Sequence, residues 1–231
     1  MNFKAIMDIL GGRWFRTDYI DREPPQKVEQ PKGPFKQAGE QPVCSLLIFV
    51  PRSSISALIN DTTGGYGYSH LAVDCGEIDI PTGKPVMLES TVGTGVHTSF
   101  QDEYGDRKFV RIPLTKIGVN AAEFCACVHA KLGEKFDDAE ALTDGLIDNP
   151  AKQVCSDLAT LCLPQTIRTD IARYHETGAI HILSAVREYH PQTKTLRLFV
   201  SPNGFAEYFG APKGGKLEAP GQVSEPSLHT A

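Results

Sequence analysis

The chain has 231 residues, of which 41% are hydrophobic and 22% charged, and its formal net charge is −5. This composition is typical of a globular protein with one sizeable core. The negative charge gives no electrostatic reason to expect a nucleic-acid partner, and no apolar run approaches the roughly 20 residues that span a bilayer.

Residues 1–42 predict an N-terminal helix followed by a proline-rich arm. Asp8 interrupts the first apolar run and no small-residue cleavage site follows, so we expect no signal peptide and, by default, a cytoplasmic location. The arm at 22–42 holds five prolines and reads as a linker or a surface-hugging segment. The helical spacing of Phe3, Ile6, Met7 and Leu10 indicates a short helix docked on the body. A membrane-surface anchor is the weaker alternative.

Residues 43–208 are predicted to form the folded body, and residues 209–231 a flexible tail. Because the strands cluster early and the helices later, we expect an α+β fold rather than a doubly wound sheet. Strands are predicted at 43–50, around His70, at 85–91, at 108–114, and in the late segments "AIHILSAV" and "TLRLFVS". Helices are predicted at 53–61, at 120–133 with Gly133 as the closing residue, and at 149–163 with Asn149 as a cap.

The six cysteines are too few for a disulfide scaffold in a chain of this length. Without a signal peptide, reduced thiols are the simpler expectation. The segment "FCACVHA", residues 124–130, is suggestive of metal binding, but no second ligand cluster with matching spacing accompanies it. We therefore interpret it as a helix face and expect no metal site.

The segment "GYGYSHLAVDCG", residues 65–76, alternates as a half-buried strand that places Tyr68 and His70 on one face. Symmetry about the loop at 76–83 predicts a hairpin in which His70 stands directly opposite Glu89. A carboxylate beside an imidazole fixes its tautomer and favours its charged form. His70 is therefore interpreted as a general base, with a satisfied core histidine as the alternative.

A nucleophile for this pair is available in "VCSDLATLC", where Cys155 and Ser156 are the candidates. The helical stripe from Cys155 to Cys162 would face the sheet and bring Cys155 against the strand of His70. A helix that begins at Asn149 would place Cys155 in its second turn, whereas a helix that begins at Cys155 would let the dipole act on the thiol. A cysteine that only fills the core is the alternative interpretation.

Four segments in this order resemble the permuted papain-like families of the YiiX/YaeF type, which are relatives of the NlpC-type cell-wall peptidases. They are "LLIFVPRSSISALINDTTGGYGYSHLAVDCG", "VMLESTVGTGV", "LGEKFDD" and "QVCSDLATLCLP", and they cover about residues 44–165. The family's histidine strand, glutamate strand and cysteine helix match His70, Glu89 and Cys155. The chain departs from the pattern at Val154, where the family often has an aromatic residue.

The resemblance implies a circularly permuted papain-like fold, with an antiparallel sheet or small barrel packed against helices. It also implies a thiol hydrolase of peptide or amide bonds that uses neither metal nor organic cofactor. In such an enzyme His70 takes the proton of Cys155 and Glu89 holds the ring, while the backbone N–H of Cys155 donates to the oxyanion. Tyr68 is a weaker candidate for oxyanion or substrate contact, because a packing aromatic explains it as well.

Three functions remain open at this point. The first is hydrolysis of a peptide or amide, for which a peptidoglycan peptide is one candidate substrate. The second is a lipid acyltransferase or esterase with the same site, as in the lecithin:retinol acyltransferase branch of the permuted group. The third is a catalytically silent binding module that keeps the scaffold, against which the presence of all three site residues argues.

Overall fold

The computed structural model describes residues 31, 33–39, 43–52, 60, 64–136, 154–176, 185–190, 195–214, 217 and 222–223. The predicted N-terminal helix, nearly all of the predicted helix at 53–61, and the predicted helix start at 149–153 lie outside these residues. No helix in the described part of the chain is long and apolar enough to cross a membrane.

A six-stranded sheet lies at the centre of the described structure. Its strands are β2 (Ser45–Phe49), β3 (His70–Asp74), β5 (Val86–Thr91), β6 (Gly95–Phe100), β7 (Phe109–Pro113) and β10 (Gln222–Val223), in the spatial order β10-β7-β2-β3-β5-β6. All neighbours pair antiparallel except β10, which runs parallel to β7. The described strands leave the sheet open at both edges, so of the two expected arrangements the antiparallel sheet is found and the small barrel is not. The expected α+β class is confirmed.

Two small sheets and four helices complete the described elements. β1 (Phe35–Gln37) pairs with β4 (Glu77–Asp79), and β8 (Ala185–His190) pairs with β9 (Thr195–Val200). The helices are α1 (Ala121–His129), α2 (Asp157–Cys162), α3 (Gln165–Glu176) and α4 (Pro202–Tyr208). Short 3-10 helices at Gln101–Tyr104 and Leu114–Ile117 flank β7.

Strand β2 explains why the sequence shows a continuous apolar run instead of an alternating one. Leu46 and Ile48 point into the main core, which the helices share, whereas Leu47 and Phe49 point into a smaller cluster on the other face of the sheet. A strand that is covered on both faces needs apolar residues at every position. The smaller cluster matters for function, because Phe49 is the register partner of His70.

Helix boundaries differ from the expectation in two places. Helix α1 begins after Asn120, whose side chain accepts hydrogen bonds from two backbone N–H groups, but it ends at His129, short of Gly133. Helix α2 begins only at Asp157, so the predicted helical conformation at Cys155 is wrong. Cys155 lies instead in the turn that leads into the helix.

Parts of both terminal segments belong to the folded body. In the proline-rich arm, β1 forms a strand against β4, in agreement with a surface-hugging segment. After Tyr208, the side chains of Phe209, Ala211 and Leu217 are buried, and β10 extends the central sheet. The expected flexible tail from 209 onward is therefore wrong for the described residues, because their apolar side chains fill the main core.

Candidate active site

The ring of His70 is held by Glu89 from the neighbouring strand. Nε2 of His70 lies 2.7 Å from Oε2 of Glu89. The predicted register was wrong by two residues, because Ala72, not His70, pairs directly with Glu89. The turn lies further along the chain than loop symmetry implied. The side chain of Asp79 accepts a hydrogen bond from the hydroxyl of Thr82, and the backbone N–H of Asp79 donates to the carbonyl of Lys84. A shift of two keeps both side chains on one face, and the diagonal separation is within reach of long side chains.

Glu89 is a buried carboxylate that several donors keep ionised. Besides the His70 ring, it accepts hydrogen bonds from the hydroxyls of Ser99 and Tyr104. Burial alone would raise its pKa, but the hydrogen bond and charge of His70 and the two hydroxyl donors lower the pKa of Glu89 to about 2. His97 adds a ring nitrogen 3.6 Å from the other carboxylate oxygen. The carboxylate is thus a fixed negative charge behind the imidazole.

The ring of Tyr104 lies beside the ring of His70. Its ring lies parallel to that of His70, with an interplanar angle of 6° and centroids 6.0 Å apart, and its hydroxyl is 3.2 Å from Nε2. Burial, followed by the charge of Glu89, raises the pKa of Tyr104 far above its ordinary value. Tyr104 therefore stays protonated and acts as a donor to Glu89 over the whole accessible pH range.

Cys155 supplies the third member of the constellation. It is partly exposed, packs against the main core, and has no disulfide partner. Burial would lower the pKa of His70, but the charge of Cys155, a hydrogen bond with Cys155 and the contacts of Glu89 raise the pKa of His70 to about 9. Because Glu89 and Tyr104 occupy Nε2, Nδ1 is the ring nitrogen that remains for proton exchange with the thiol. The structure thus brings together all three residues that the sequence singled out.

The other cysteines correct the expectation of reduced thiols. Cys75 forms a disulfide with Cys125, and Cys127 forms one with Cys162. The two cysteines of "FCACVHA" therefore join α1 covalently to Cys75 and Cys162. Of the two free cysteines, Cys44 is buried, and burial followed by the charge of Asp74 raises its pKa to about 11.

Helix α1 is tied in this way to both functional elements. The first disulfide joins it to Cys75, just beyond β3, and the second joins it to the end of α2. β3 begins with His70, and α2 follows Cys155. One helix therefore fixes the two elements that carry the imidazole and the thiol.

Tyr68 is not part of this cluster. It is fully buried in the main core, where its hydroxyl donates to the carbonyl of Pro212 and its N–H donates to Asn203. Strand β3 begins only at His70, so the alternation that placed Tyr68 on the same face does not extend back to it. Ser156, the other nucleophile candidate, is buried at the N-cap position of α2, and its side chain makes no capping hydrogen bond.

Sequence reasoning missed Ser99, His97 and Tyr104. The sequence favoured a loop position for His97 and Ser99 over a position lining a cleft, but both lie on β6, where His97 is the direct register partner of Glu89. The alternation in "GVHTSF" after the glycine-containing turn "VGT" would have been a signal for this strand. This turn, residues 92–94, is short enough to join an antiparallel pair of strands. Tyr104 gave no such signal, because it reaches the site from a 3-10 helix.

Comparison with known proteins does not assign the chain to a family. No family model, no curated protein and no solved structure matches it. The functional argument therefore rests on the geometry alone: a free thiol, an imidazole beside it, and a buried carboxylate behind the imidazole. Groups in this order can generate a nucleophilic thiolate and can protonate a leaving group.

Proposed function

We propose that this chain is a cysteine-dependent hydrolase of peptide or amide bonds, with Cys155 as the nucleophile, His70 as the general base and acid, and Glu89 as the residue that positions the ring. The observation that carries the proposal is the pairing of His70 with a free thiol on one side and with a buried carboxylate at 2.7 Å on the other. The permuted papain-like order of histidine, acid and cysteine along the chain agrees with it.

The reaction would begin with proton transfer from the Cys155 thiol to Nδ1 of His70. The resulting thiolate attacks the substrate carbonyl and forms a C–S bond, while the carbonyl electrons move to oxygen. When the oxyanion collapses, the C–N bond breaks and the imidazolium of His70 gives its proton to the leaving amine. Water, deprotonated by His70, then releases the acid from the thioester and restores the thiol.

The backbone N–H of Cys155 is the proposed donor to the oxyanion. No described residue accepts a hydrogen bond from this N–H, and the turn that leads into α2 places it next to the sulfur that would carry the acyl group. A donor fixed in this way stabilises charge that develops only during the reaction. Tyr68 is not proposed for this role, because its hydroxyl is engaged with Pro212.

The test is to trap the acyl-enzyme. The purified chain is mixed with short peptide amides, with simple esters and with lipid esters, quenched in acid, and mapped by mass spectrometry for a thioester. We expect a thioester on Cys155 with an amide or ester substrate, and none in Cys155→Ala. The control variant Cys44→Ala removes the other free thiol and should leave the thioester in place.

The substrate arm decides between the related chemistries. Turnover of peptide amides supports the proposal, whereas turnover of lipid esters alone would point to the acyltransferase or esterase alternative. A folded protein that forms no thioester with any of the three classes, and whose Cys155 is no more reactive than a free thiol, would leave a binding module as the better explanation.

A further inference from the structure

Arg107 lies beside the Cys155 site without a role in the chemistry described above. It follows the turn that contains Gly105, and its backbone N–H bonds to the carbonyl of Tyr104, which brings residue 107 back toward the site. Its side chain is only partly exposed. No sequence pattern singles out Arg107, because an arginine in a turn is ordinarily a solvated residue.

The guanidinium of Arg107 is held in a defined position. Its Nε donates to the carbonyl of Val50 at 2.8 Å. Its central carbon lies 5.1 Å from the ring centroid of Phe49 and 5.3 Å from that of Tyr104, and both rings also contact His70. Cation–π contacts on two aromatic rings restrict the plane of the guanidinium, so its fork is oriented before any ligand binds.

Arg107 differs from Arg111 and Arg173 in how its charge is balanced. Arg111 pairs with Asp74 and Arg173 pairs with Asp170, but within the described ranges no carboxylate forms an ion pair with Arg107. Only Nε of Arg107 has an acceptor there, so the terminal N–H groups of the fork have none among the described residues. A partly buried cation without a paired anion is costly unless a ligand supplies one.

Arg107 is linked to the site through Tyr104, whose ring it contacts and whose hydroxyl lies 3.2 Å from Nε2 of His70. Burial lowers the pKa of Arg107, and the positive charge of Arg52 lowers it further, whereas the charges of Glu89 and Cys155 act in the opposite direction. Glu89 is already engaged by His70, Ser99 and Tyr104. The fork of Arg107 is therefore available to an anion that approaches Cys155.

We propose that Arg107 forms a subsite for a carboxylate next to the scissile bond, so that the enzyme selects substrates that carry a negative group close to the carbonyl under attack. A guanidinium binds a planar carboxylate through two parallel N–H donors, and such contacts are both strong and directional. The inference rests on the proposed thiol chemistry, and it names the substrate class: an acidic peptide or amide instead of a neutral one.

Two small electrophiles test the subsite without knowledge of the natural substrate. Iodoacetate and iodoacetamide both alkylate a thiolate and release iodide, but only iodoacetate carries a carboxylate. The rate constants for Cys155 are measured with each reagent, and their ratio is compared with the ratio for free cysteine in the same buffer. We expect the iodoacetate-to-iodoacetamide ratio at Cys155 to exceed that of free cysteine by about tenfold, as a charge-assisted contact would give.

Variants assign the ratio to Arg107. Arg107→Gln should lower the ratio to about the value of free cysteine, and Arg107→Lys, which keeps the charge but not the fork, should give an intermediate ratio. The matched control is Arg173→Gln, which removes the same charge on α3 and should leave the ratio unchanged. Circular dichroism verifies that each variant is folded, and Arg107→Lys, which keeps the charge, assigns the ratio to the guanidinium fork if Arg107→Gln does not fold.

The outcomes separate the two proposals. If iodoacetamide labelling of Cys155 depends on His70 but the ratio is the same in the wild type, in Arg107→Gln and in free cysteine, the carboxylate subsite is overturned and the thiol chemistry stands. If Arg107→Gln slows both reagents equally, Arg107 acts on the thiolate and the subsite is likewise overturned. If Cys155 reacts no faster than free cysteine and is indifferent to His70, both proposals are overturned together.

Discussion

Glu89 holds Nε2 of His70 at 2.7 Å although the two residues are diagonal neighbours and not direct partners across β3 and β5. This arrangement depends on the two-residue period of a strand. A register shift of two exchanges the direct partner but keeps the face, whereas a shift of one would have put the carboxylate on the opposite side of the sheet. The predicted contact between His70 and Glu89 is therefore found even though the predicted register was wrong by two residues.

The reactivity of Cys155 is the first expectation. Limiting iodoacetamide near pH 6 should alkylate Cys155 before any other residue, because four cysteines are in disulfides and Cys44 is buried with a raised pKa. His70→Ala should slow the labelling by about tenfold or more, since thiol reactivity follows the thiolate fraction. Peptide mapping measures the site and the rate. Faster labelling of Cys44, or equal rates with and without His70, would support a core cysteine instead.

Removal of the charge at Glu89 should reduce activity without abolishing it. Glu89→Gln keeps the shape of the side chain but loses the carboxylate that favours the imidazolium. Its kcat should therefore fall, but should remain about 10²-fold higher than the kcat of Cys155→Ala. The matched control is Glu77→Gln, because Glu77 pairs with His129 at 3.0 Å away from the site. A loss in Glu77→Gln equal to that in Glu89→Gln would mean that both pairs are only structural.

Tyr104 should be a positioning residue with a cost in both stability and rate. Tyr104→Phe removes a donor to a buried carboxylate, and we expect a loss of about 1–3 kcal/mol in the free energy of unfolding together with a lower kcat. Tyr208→Phe is the control, since the Tyr208 hydroxyl donates to Asp170 at 2.6 Å outside the site. Urea titration and initial rates should separate the two variants: both lose stability, but only Tyr104→Phe loses activity.

The stability of the protein should depend on pH in two windows. The pKa of His70 is raised from 6.5 to about 9, so its contribution is complete below pH 6.5 and is lost as the pH rises through 9. The pKa of Glu89 is lowered from 4.5 to about 2, so its contribution is complete above pH 4.5 and is lost as the pH falls toward 2. Urea unfolding from pH 4 to pH 10 should therefore show the largest stability difference between the wild type and His70→Ala at pH 4.5–6.5. A difference that stays constant up to pH 10 would contradict the raised pKa.

The two disulfides should stabilise the arrangement of the site. The sequence separations of 50 and 35 residues correspond to about 4 kcal/mol each when chain entropy alone is counted, and measured values are often smaller. The double variant Cys127→Ala/Cys162→Ala should lower Tm by about 10 °C, because 1 kcal/mol corresponds to roughly 2–4 °C in a chain of this size. Calorimetry of the variant in the absence of reductant measures the change, and the wild type after full reduction should show at least as large a decrease. An unchanged Tm in both would exclude a stabilising role for this bond.

Peptide mapping under non-reducing conditions checks the pairing itself. Cys75 should appear linked to Cys125 and Cys127 to Cys162, and denaturation without reductant should expose only the thiols of Cys44 and Cys155. A different pairing would contradict the described contacts of α1. Disulfides persist in oxidising surroundings, so this pairing does not favour the reducing cytosol that the sequence suggested by default.

Local sequence determined four of the six strands of the central sheet, β2, β3, β5 and β7, and the residue types of the site. The apolar run "VCSLLIFV" and the alternation in "KFVRIPL" predicted β2 and β7, because burial on one or both faces dictates side-chain polarity residue by residue. The strand around His70 and the strand of Glu89 were predicted for the same reason. Asn120 predicted the start of α1 through its capping side chain.

Tertiary structure decided what lies at contact distance. Tyr104, Ser99 and Arg107 reach the site from a 3-10 helix, a strand and a turn that carry no periodic signal pointing to His70. The pairing of the cysteines was equally inaccessible, since Cys75 and Cys125 are 50 residues apart and meet only when α1 packs on the sheet. The start of α2 at Asp157, after a turn at Cys155, was not visible in the local sequence either, because tertiary context overrides local helix propensity. A sequence pattern constrains the direction and polarity of a side chain, but long-range contacts form only in the packed fold, and those contacts set the charge of His70 and the accessibility of Cys155.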